Sequence, residues 1–351
     1  MEIKVIKSKK LKAKPTSTPK FGTCFTDHMF VMEYSDGEWK NPRIQPYGPF
    51  SLDPSTSVFH YAQEVFEGCK AYKNKKGEIR IFRPWENFKR MNESCARVCI
   101  PSIDEKLALE ALEKLVLLEK DWIPTDEGTS LYIRPAIIAT DPALGVHAAH
   151  NYIFFIILCP VGAYYAHGLE PVKLFVESEY VRACKGGTGH HKVGGNYAAS
   201  ILAGEKAAKI GYDQVMWLDG KEKKYVEEVG SMNIFFCLDG KVVTPELGGS
   251  ILPGITRKSV IELLRSHGIT VEERIISIDE IVEKTKSGAL SEIFGTGTAA
   301  VISPVGHFMY NGVEYEVGGG KMGKIATDVY SELTGIQTGK LPDKFNWVDI
   351  L

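Results

Sequence analysis

Two neighbouring apolar runs, SLYIRPAIIAT (130–140) and NYIFFIILCPVG (151–162), limit the architecture of this 351-residue chain more than any other feature. The second is the longest apolar run, and it stops at Gly162, short of the roughly 20 residues a membrane-spanning helix needs. Both therefore predict buried strands. Upstream, helical apolar spacing marks 83–99 and 103–122, and Pro124 stops the second. Downstream, AYYAHGLEPVK (163–173) breaks the pattern with Gly168 and Pro171. The chain is long for a single core, so two domains are expected: 1–162, then an interdomain loop at 163–173, then 174–351.

The second half reads as a helix over 196–211 ended by Gly211, a strand at 213–218, and a hairpin turning at Asp239-Gly240. A helix opens after Pro253-Gly254, and Ser277-x-x-Glu280 is a capping box for another. SEIFGTGTAAVISPVG (291–306) reads as strand, glycine-threonine turn and strand or helix start. This order predicts an α+β (mixed α/β) fold with barrel-like or mixed sheets. Strands and helices alternate too irregularly for a Rossmann fold or a (β/α)₈ barrel.

Hydrophobic content of 44% and charged content of 25% fit an ordinary globular protein. A net charge of −2 gives no electrostatic case for nucleic acid. The first twenty residues carry seven lysines against Glu2 alone and have no apolar core, so they read as an extended, solvated arm rather than a secretory signal. Seven cysteines, scattered and odd in number, predict reduced thiols and a cytoplasmic setting.

The chemistry concentrates in CKGGTGHHKVGGNYAAS (184–200). A phosphate-binding P-loop needs glycine before its lysine and a hydroxyl after it; Lys192 has His191 and Val193. Adjacent His190 and His191 point apart on extended backbone, and no zinc spacing supports them, so no metal is expected. That leaves Lys192 as a reactive amine. Gly254-Ile255-Thr256, at a helix start, and Gly295-Thr296-Gly297-Thr298, as a nest of amides and hydroxyls, are two seats for an anion. Glu228 enters an apolar strand, which is costly without a cation nearby. Its neighbour Glu227 reads as a surface hairpin residue. Lysine, carboxylate, Tyr197 and a phosphate cup are the parts that pyridoxal 5'-phosphate needs.

With those residues in place, the chain resembles the branched-chain amino acid aminotransferases, fold-type IV pyridoxal-phosphate enzymes. The resemblance runs from about Phe21 to the C-terminus through FGTCFTDHMF, FHYAQEVFEGCKAY, FRPWENFKRM, LYIRPAII, CPVGAYY, HKVGGNYAAS, EEVGSMNIFF, LPGITRKSV and FGTGTAA. It implies a small N-terminal domain, a larger C-terminal domain with a barrel-like sheet, and a homodimer. It also implies amino transfer from L-leucine, L-isoleucine or L-valine to 2-oxoglutarate. Lys192 resembles the Schiff-base lysine, Tyr197 the partner of the cofactor's phenolic oxygen and Glu228 the partner of its ring nitrogen. Arg90, Ile255, Thr256 and Thr298 resemble the phosphate ligands, and Ser231 stands where the family often has threonine. Phe21, Tyr61, Phe66, Tyr132 and Tyr164 resemble the substrate pocket's aromatic wall. Arg134 resembles the arginine beside that pocket, and Thr298 and Ala299 the contacts to the substrate carboxylate. Mammalian members carry a C-x-x-C redox switch after the GTGTA turn; Ala300 and Ser303 stand there, so thiol regulation at that place is not expected, whereas Cys69, just after Phe66, is expected to accept alkylating reagents. Rival readings are a D-amino acid aminotransferase or aminodeoxychorismate lyase of the same fold, and a catalytically silent pyridoxal-phosphate-binding protein.

Overall fold

The computed structural model describes residues 1–15, 17, 19–162 and 169–351. They form two compact units. One comprises Met1–Tyr164, His191–Gly194 and Gly335–Leu351; the other comprises Tyr165–His190 and Gly195–Thr334.

In the first unit the elements run β1 (Lys4–Val5), β2 (His28–Ser35), β3 (Glu38–Pro46), α1 (Ser57–Tyr61), β4 (Glu64–Phe66) and β5 (Cys69–Lys73). There follow β6 (Ile79–Phe82), α2 (Pro84–Arg97), α3 (Glu105–Leu118), β7 (Ser130–Ala139) and β8 (Tyr152–Val161). The apolar runs 130–140 and 151–162 become β7 and β8, paired antiparallel along their full length from Ser130–Val161 to Ala139–Tyr152. Together they form the middle of a nine-stranded sheet. Helix α2 buries Phe88, Met91 and Cys95, and α3 buries Ala108, Ala111, Leu112 and Leu115, in one core with Phe30, Ile81 and Phe154. These are the i, i+3, i+4 and i+7 positions of amphipathic helices. The expected helix over 103–122 ends sooner, at Leu118, and continues as a 3₁₀ turn over Lys120–Trp122. At that junction the buried Glu119 carboxylate bonds His28 Nδ1, and Trp122 Nε1 donates to Asp27 at 2.9 Å.

Both chain ends join this sheet. The lysine-rich arm is anchored rather than freely solvated: β1 pairs parallel with β3, Ile3 is buried, and Lys12 N donates to Asp27 Oδ1 at 2.7 Å. The segment after 335, which chain order assigns to the second half, returns to the first sheet, where Val348–Ile350 pairs antiparallel with β6.

The second unit runs β9 (Val172–Glu177), α4 (Gly194–Ala198), α5 (Ile201–Lys209), β10 (Gln214–Leu218), β11 (Val226–Val229), β12 (Met232–Leu238) and β13 (Lys241–Thr244). Then come α6 (Ile255–Ser266), β14 (Val271–Glu273), α7 (Ile278–Lys286), β15 (Leu290–Gly297), β16 (Val301–Tyr310), β17 (Val313–Glu316) and the start of α8 (Lys324–Thr338). Strands β11, β10, β9, β16, β15 and β12 pair in that order, and β12 pairs back to β11, closing a six-stranded barrel. Closure removes the unpaired edges that an open sheet must otherwise protect. Alternate residues Leu174 and Val176, Met216 and Leu218, and Ile234, Phe236 and Leu238 pack into one cluster, the period-two pattern of strands with one face in a core. Asp239-Gly240, both at positive φ, turns β12 into β13, and Ser277 accepts from Glu280 N to start α7. Among the described residues no helix is long and apolar enough to cross a membrane.

Candidate active site

Lys192 belongs to the first unit and is held there by its own main chain. Its N–H donates to Ser94 Oγ at 2.9 Å and its carbonyl accepts from Phe66 N at 3.1 Å. Val193 is buried in the core. Gly194 is required for this fit, because a Cβ there would stand 1.7 Å from Glu64 Oε1. The result places Lys192 Nζ 4.9 Å from the centre of the Phe66 ring.

Around it the first unit assembles most of the predicted aromatic wall. The Arg134 guanidinium lies 4.8 Å from the Phe66 ring, and its NH2 group donates to Tyr132 Oη at 3.0 Å. Phe21 packs edge-on against Tyr132, 4.9 Å between ring centres. Gly68 leaves room for that tyrosine, since a Cβ at 68 would meet its hydroxyl at 2.1 Å. Tyr61 is engaged differently: its hydroxyl accepts from Gly145 N at 2.7 Å, on the connection between β7 and β8. Tyr164 lies outside the described residues.

Arg90 points at a residue the sequence reading overlooked. Glu67 is completely buried and accepts two bonds from Arg90, Nε at 2.7 Å and NH2 at 2.8 Å, and one from Asn87 Nδ2 at 2.8 Å. Burial pushes its carboxyl up, but Arg90, Lys192 and Asn87 outweigh burial and hold it below the usual range. The reasoning that singled out Glu228, a carboxylate in an apolar strand needing a cation, applies equally to Glu67 in EVFEG.

The second unit holds the other predicted cofactor residues. Glu228 on β11 accepts from Leu252 N at 2.7 Å, and Arg182 Nε lies 3.1 Å from its other oxygen. Arg182 in turn donates to the carbonyls of Gly189 and Ser250. This arginine went unnoticed in the sequence because nothing in its spacing ties it to β11. Gly230-Ser231 is a two-residue turn between β11 and β12, with Gly230 at φ +56° and Ser231 exposed. Tyr197 sits half-buried in the short helix α4. Gly254 precedes α6 and offers no side-chain acceptor, so the first-turn amides of Ile255 and Thr256 are presented without a capping side chain. A Cβ at 254 would meet Asn233 Oδ1 at 2.1 Å, and Asn233 Nδ2 donates to Leu252 O at 2.9 Å.

The expected nest at 295–298 is narrower than its sequence suggests. Gly295, Thr296 and Gly297 belong to β15 and pair with β16, so the turn proper is Thr298–Ala300. Val301 follows at φ +63°, a left-handed conformation that a β-branched residue adopts only under strain, and such outliers cluster at functional sites.

Two expectations are overturned. Glu227 is not a surface hairpin residue: it is buried, bonds Ser250 Oγ, and faces a cavity of about 710 Å³ lined also by Lys185, Asp219 and Tyr225. It lies on the strand face opposite Glu228, and burial raises its carboxyl. Cys69, expected to accept alkylating reagents, is buried, and burial together with the Glu67 charge pushes its thiol far up.

These residues suit pyridoxal phosphate on their chemistry. A helix start without a capping side chain and a buried arginine suit a phosphate, and a carboxylate kept beside an arginine suits a ring nitrogen. A lysine amine fixed against an aromatic face suits an aldehyde.

Comparison with known proteins agrees. The model of the family described as Amino-transferase class IV matches residues 64–308. Branched-chain-amino-acid transaminase 1 of Bacillus subtilis (strain 168) is 57% identical over 93% of this chain and 92% of its own. Branched-chain-amino-acid aminotransferase 2 of the same organism is 55% identical over 99% and 96%. The solved branched-chain amino acid aminotransferase of Escherichia coli superposes with a TM-score of 0.76 at 29% identity, over 92% of this chain and 98% of that one. A T.th. branched-chain amino acid aminotransferase, solved with pyridoxamine 5'-phosphate, superposes with a TM-score of 0.75 at 28% identity, over 91% and 97%. The chain belongs to the class IV aminotransferases, fold-type IV enzymes that work with pyridoxal phosphate.

Proposed function

We propose that this transaminase moves the amino group of L-leucine, L-isoleucine or L-valine to 2-oxoglutarate, and back, with pyridoxal 5'-phosphate held by Lys192. The observation that carries the reading is the fixing of Lys192 by main-chain bonds on both sides, with its amine against Phe66. Bound pyridoxal phosphate supplies the electron sink that makes the substrate's Cα–H bond acidic. The remaining work falls to the chain. Arg90, the amides of Ile255 and Thr256, and Thr298 would hold its phosphate. Tyr197 would donate to its phenolic oxygen, with Ser231 as a further neighbour. Glu228, paired with Arg182, would keep a proton on its ring nitrogen. Lys192 Nζ would hold the cofactor's aldehyde carbon and, once free, would serve as the base that accepts the substrate's Cα proton.

Phe21, Tyr61, Phe66 and Tyr132 exclude water from an aliphatic side chain, and Thr298 and Ala299 meet the substrate's α-carboxylate. Arg134 and the Tyr132 hydroxyl give the same wall a polar end for the second carboxylate of 2-oxoglutarate. The protein acts in the cytoplasm as a homodimer, with the chain divided for function between 162 and 174, a stretch of which 163–168 lie outside the described residues and Val172 already opens β9. Steady-state kinetics with a panel of L- and D-amino acids and 2-oxoglutarate test the substrate assignment, and a preference for D-amino acids overturns it. Borohydride reduction of the holoenzyme should leave the cofactor on the Lys192 peptide; a label on Lys185 would displace the lysine assignment.

A further inference from the structure

The connection from β7 to β8 gathers three side chains that the reaction does not use. Asp141, His147 and His150 each bring one ligand atom into a group whose members all lie within 4.8 Å of one another. The aspartate is rigidly held. Its Oδ1 accepts from Asn151 N and Nδ2, both at 2.8 Å, its Oδ2 accepts from His150 N at 2.9 Å, and its carbonyl accepts from Ser57 N.

Two further features bear on what the group binds. The first is spacing. Asp141 Oδ2 stands 3.5 Å from His147 Nε2 and 3.2 Å from His150 Nδ1. Nitrogen and oxygen donors at about 2.0–2.2 Å from a tetrahedral zinc ion lie about 3.4 Å from each other. The second is the histidine's tautomer. His147 Nδ1 is 2.9 Å from Gly145 O, and a carbonyl only accepts, so Nδ1 carries the proton. In the neutral ring Nε2 then presents a lone pair to a carboxylate oxygen, two acceptors face to face. A cation seated between the two groups would meet a donor atom from each. An imidazole whose other N–H is spent on a backbone carbonyl is how metal-bound histidines are oriented.

We propose that Asp141 Oδ2, His147 Nε2 and His150 Nδ1 bind one divalent transition-metal ion of the zinc type, with water completing the coordination. Two imidazoles and one carboxylate favour zinc or cobalt over the oxygen-seeking calcium and magnesium. The ion closes the 141–150 loop on itself, and through Gly145 N it also steadies the Tyr61 hydroxyl.

The test is calorimetric titration of the full-length protein, stripped with EDTA, using zinc chloride. One equivalent should bind in the wild type. His147→Ala and His150→Ala should each weaken it by more than the roughly 10–100-fold that loss of an outer partner costs. The double variant should bind none, while His267→Ala, paired elsewhere with Glu332, leaves the titration unchanged. Cobalt(II) should report the same site through the visible bands of a four-coordinate ion. His147 and His150 are not core residues, so circular dichroism of their variants should match the wild type. The proposal is overturned if the wild type takes up no stoichiometric zinc, or if both histidine variants bind as well as the wild type.

Discussion

Substituting Glu67→Gln keeps the shape of a fully buried side chain and removes its charge. The Arg90 guanidinium, itself buried, then loses the partner that meets it at 2.7 and 2.8 Å. Breaking a buried ion pair from one side costs about 3–5 kcal/mol, chiefly because the remaining charge stays desolvated. At about 2–4 °C per kcal/mol in domains of roughly 150–250 residues, the melting temperature should fall by ~6–20 °C. The pH dependence has a definite sign. The folded Glu67 carboxyl lies below its usual range, so its contribution is complete above the unfolded value, about 4.3, and fades as pH drops through the folded one. Thermal melts of wild type and variant should therefore differ most near neutrality and converge in acid. Replacing both charges, Glu67→Gln with Arg90→Met, should recover part of the loss, as a double-mutant cycle measures. A Glu67→Gln protein melting within about 3 °C of wild type at pH 7 would refute the buried-pair argument.

Glu228→Gln should lower kcat and kcat/KM together by on the order of 10²-fold, while cofactor retention, measured by equilibrium dialysis, changes little. Glu227→Gln serves as its neighbour control with a separate readout. The folded Glu227 carboxyl is raised by burial, so ionising it destabilises the fold as pH rises, and the amide should flatten the pH dependence of melting without lowering stability at pH 7. Iodoacetamide followed by peptide mass spectrometry should label exposed Cys99 and Cys184 and spare buried Cys69. Mild peroxide should form no disulfide after the cofactor turn, where Ala300 and Ser303 stand.

What sequence reveals here depends on the range of the forces involved. Strands β7 and β8, helix α6, the Asp239-Gly240 turn and the Ser277 cap are written in contiguous residues, because propensity, capping and turn chemistry act over a few positions. The closing of the barrel is not, since it rests on β11 meeting β12 at the end of a ring whose members lie anywhere from 172 to 310. Nor is the return of Val348–Ile350 to β6, a pairing across more than two hundred residues. The site divides in the same way. Lys192 and Glu228 declare themselves by being costly where they stand: an amine among glycines, a carboxylate in an apolar strand. Their partners do not. Arg182 and Glu67 are ordinary charged residues in sequence, and only the fold brings one to Glu228 and the other to Arg90. Glu227 is the sharpest case. Alternation along β11 correctly separates it from Glu228, yet says nothing of burial on the far face, which comes from Ser250, a residue 23 positions away. A carboxylate's face can be inferred from its own strand, but its solvation belongs to whatever packs against that strand.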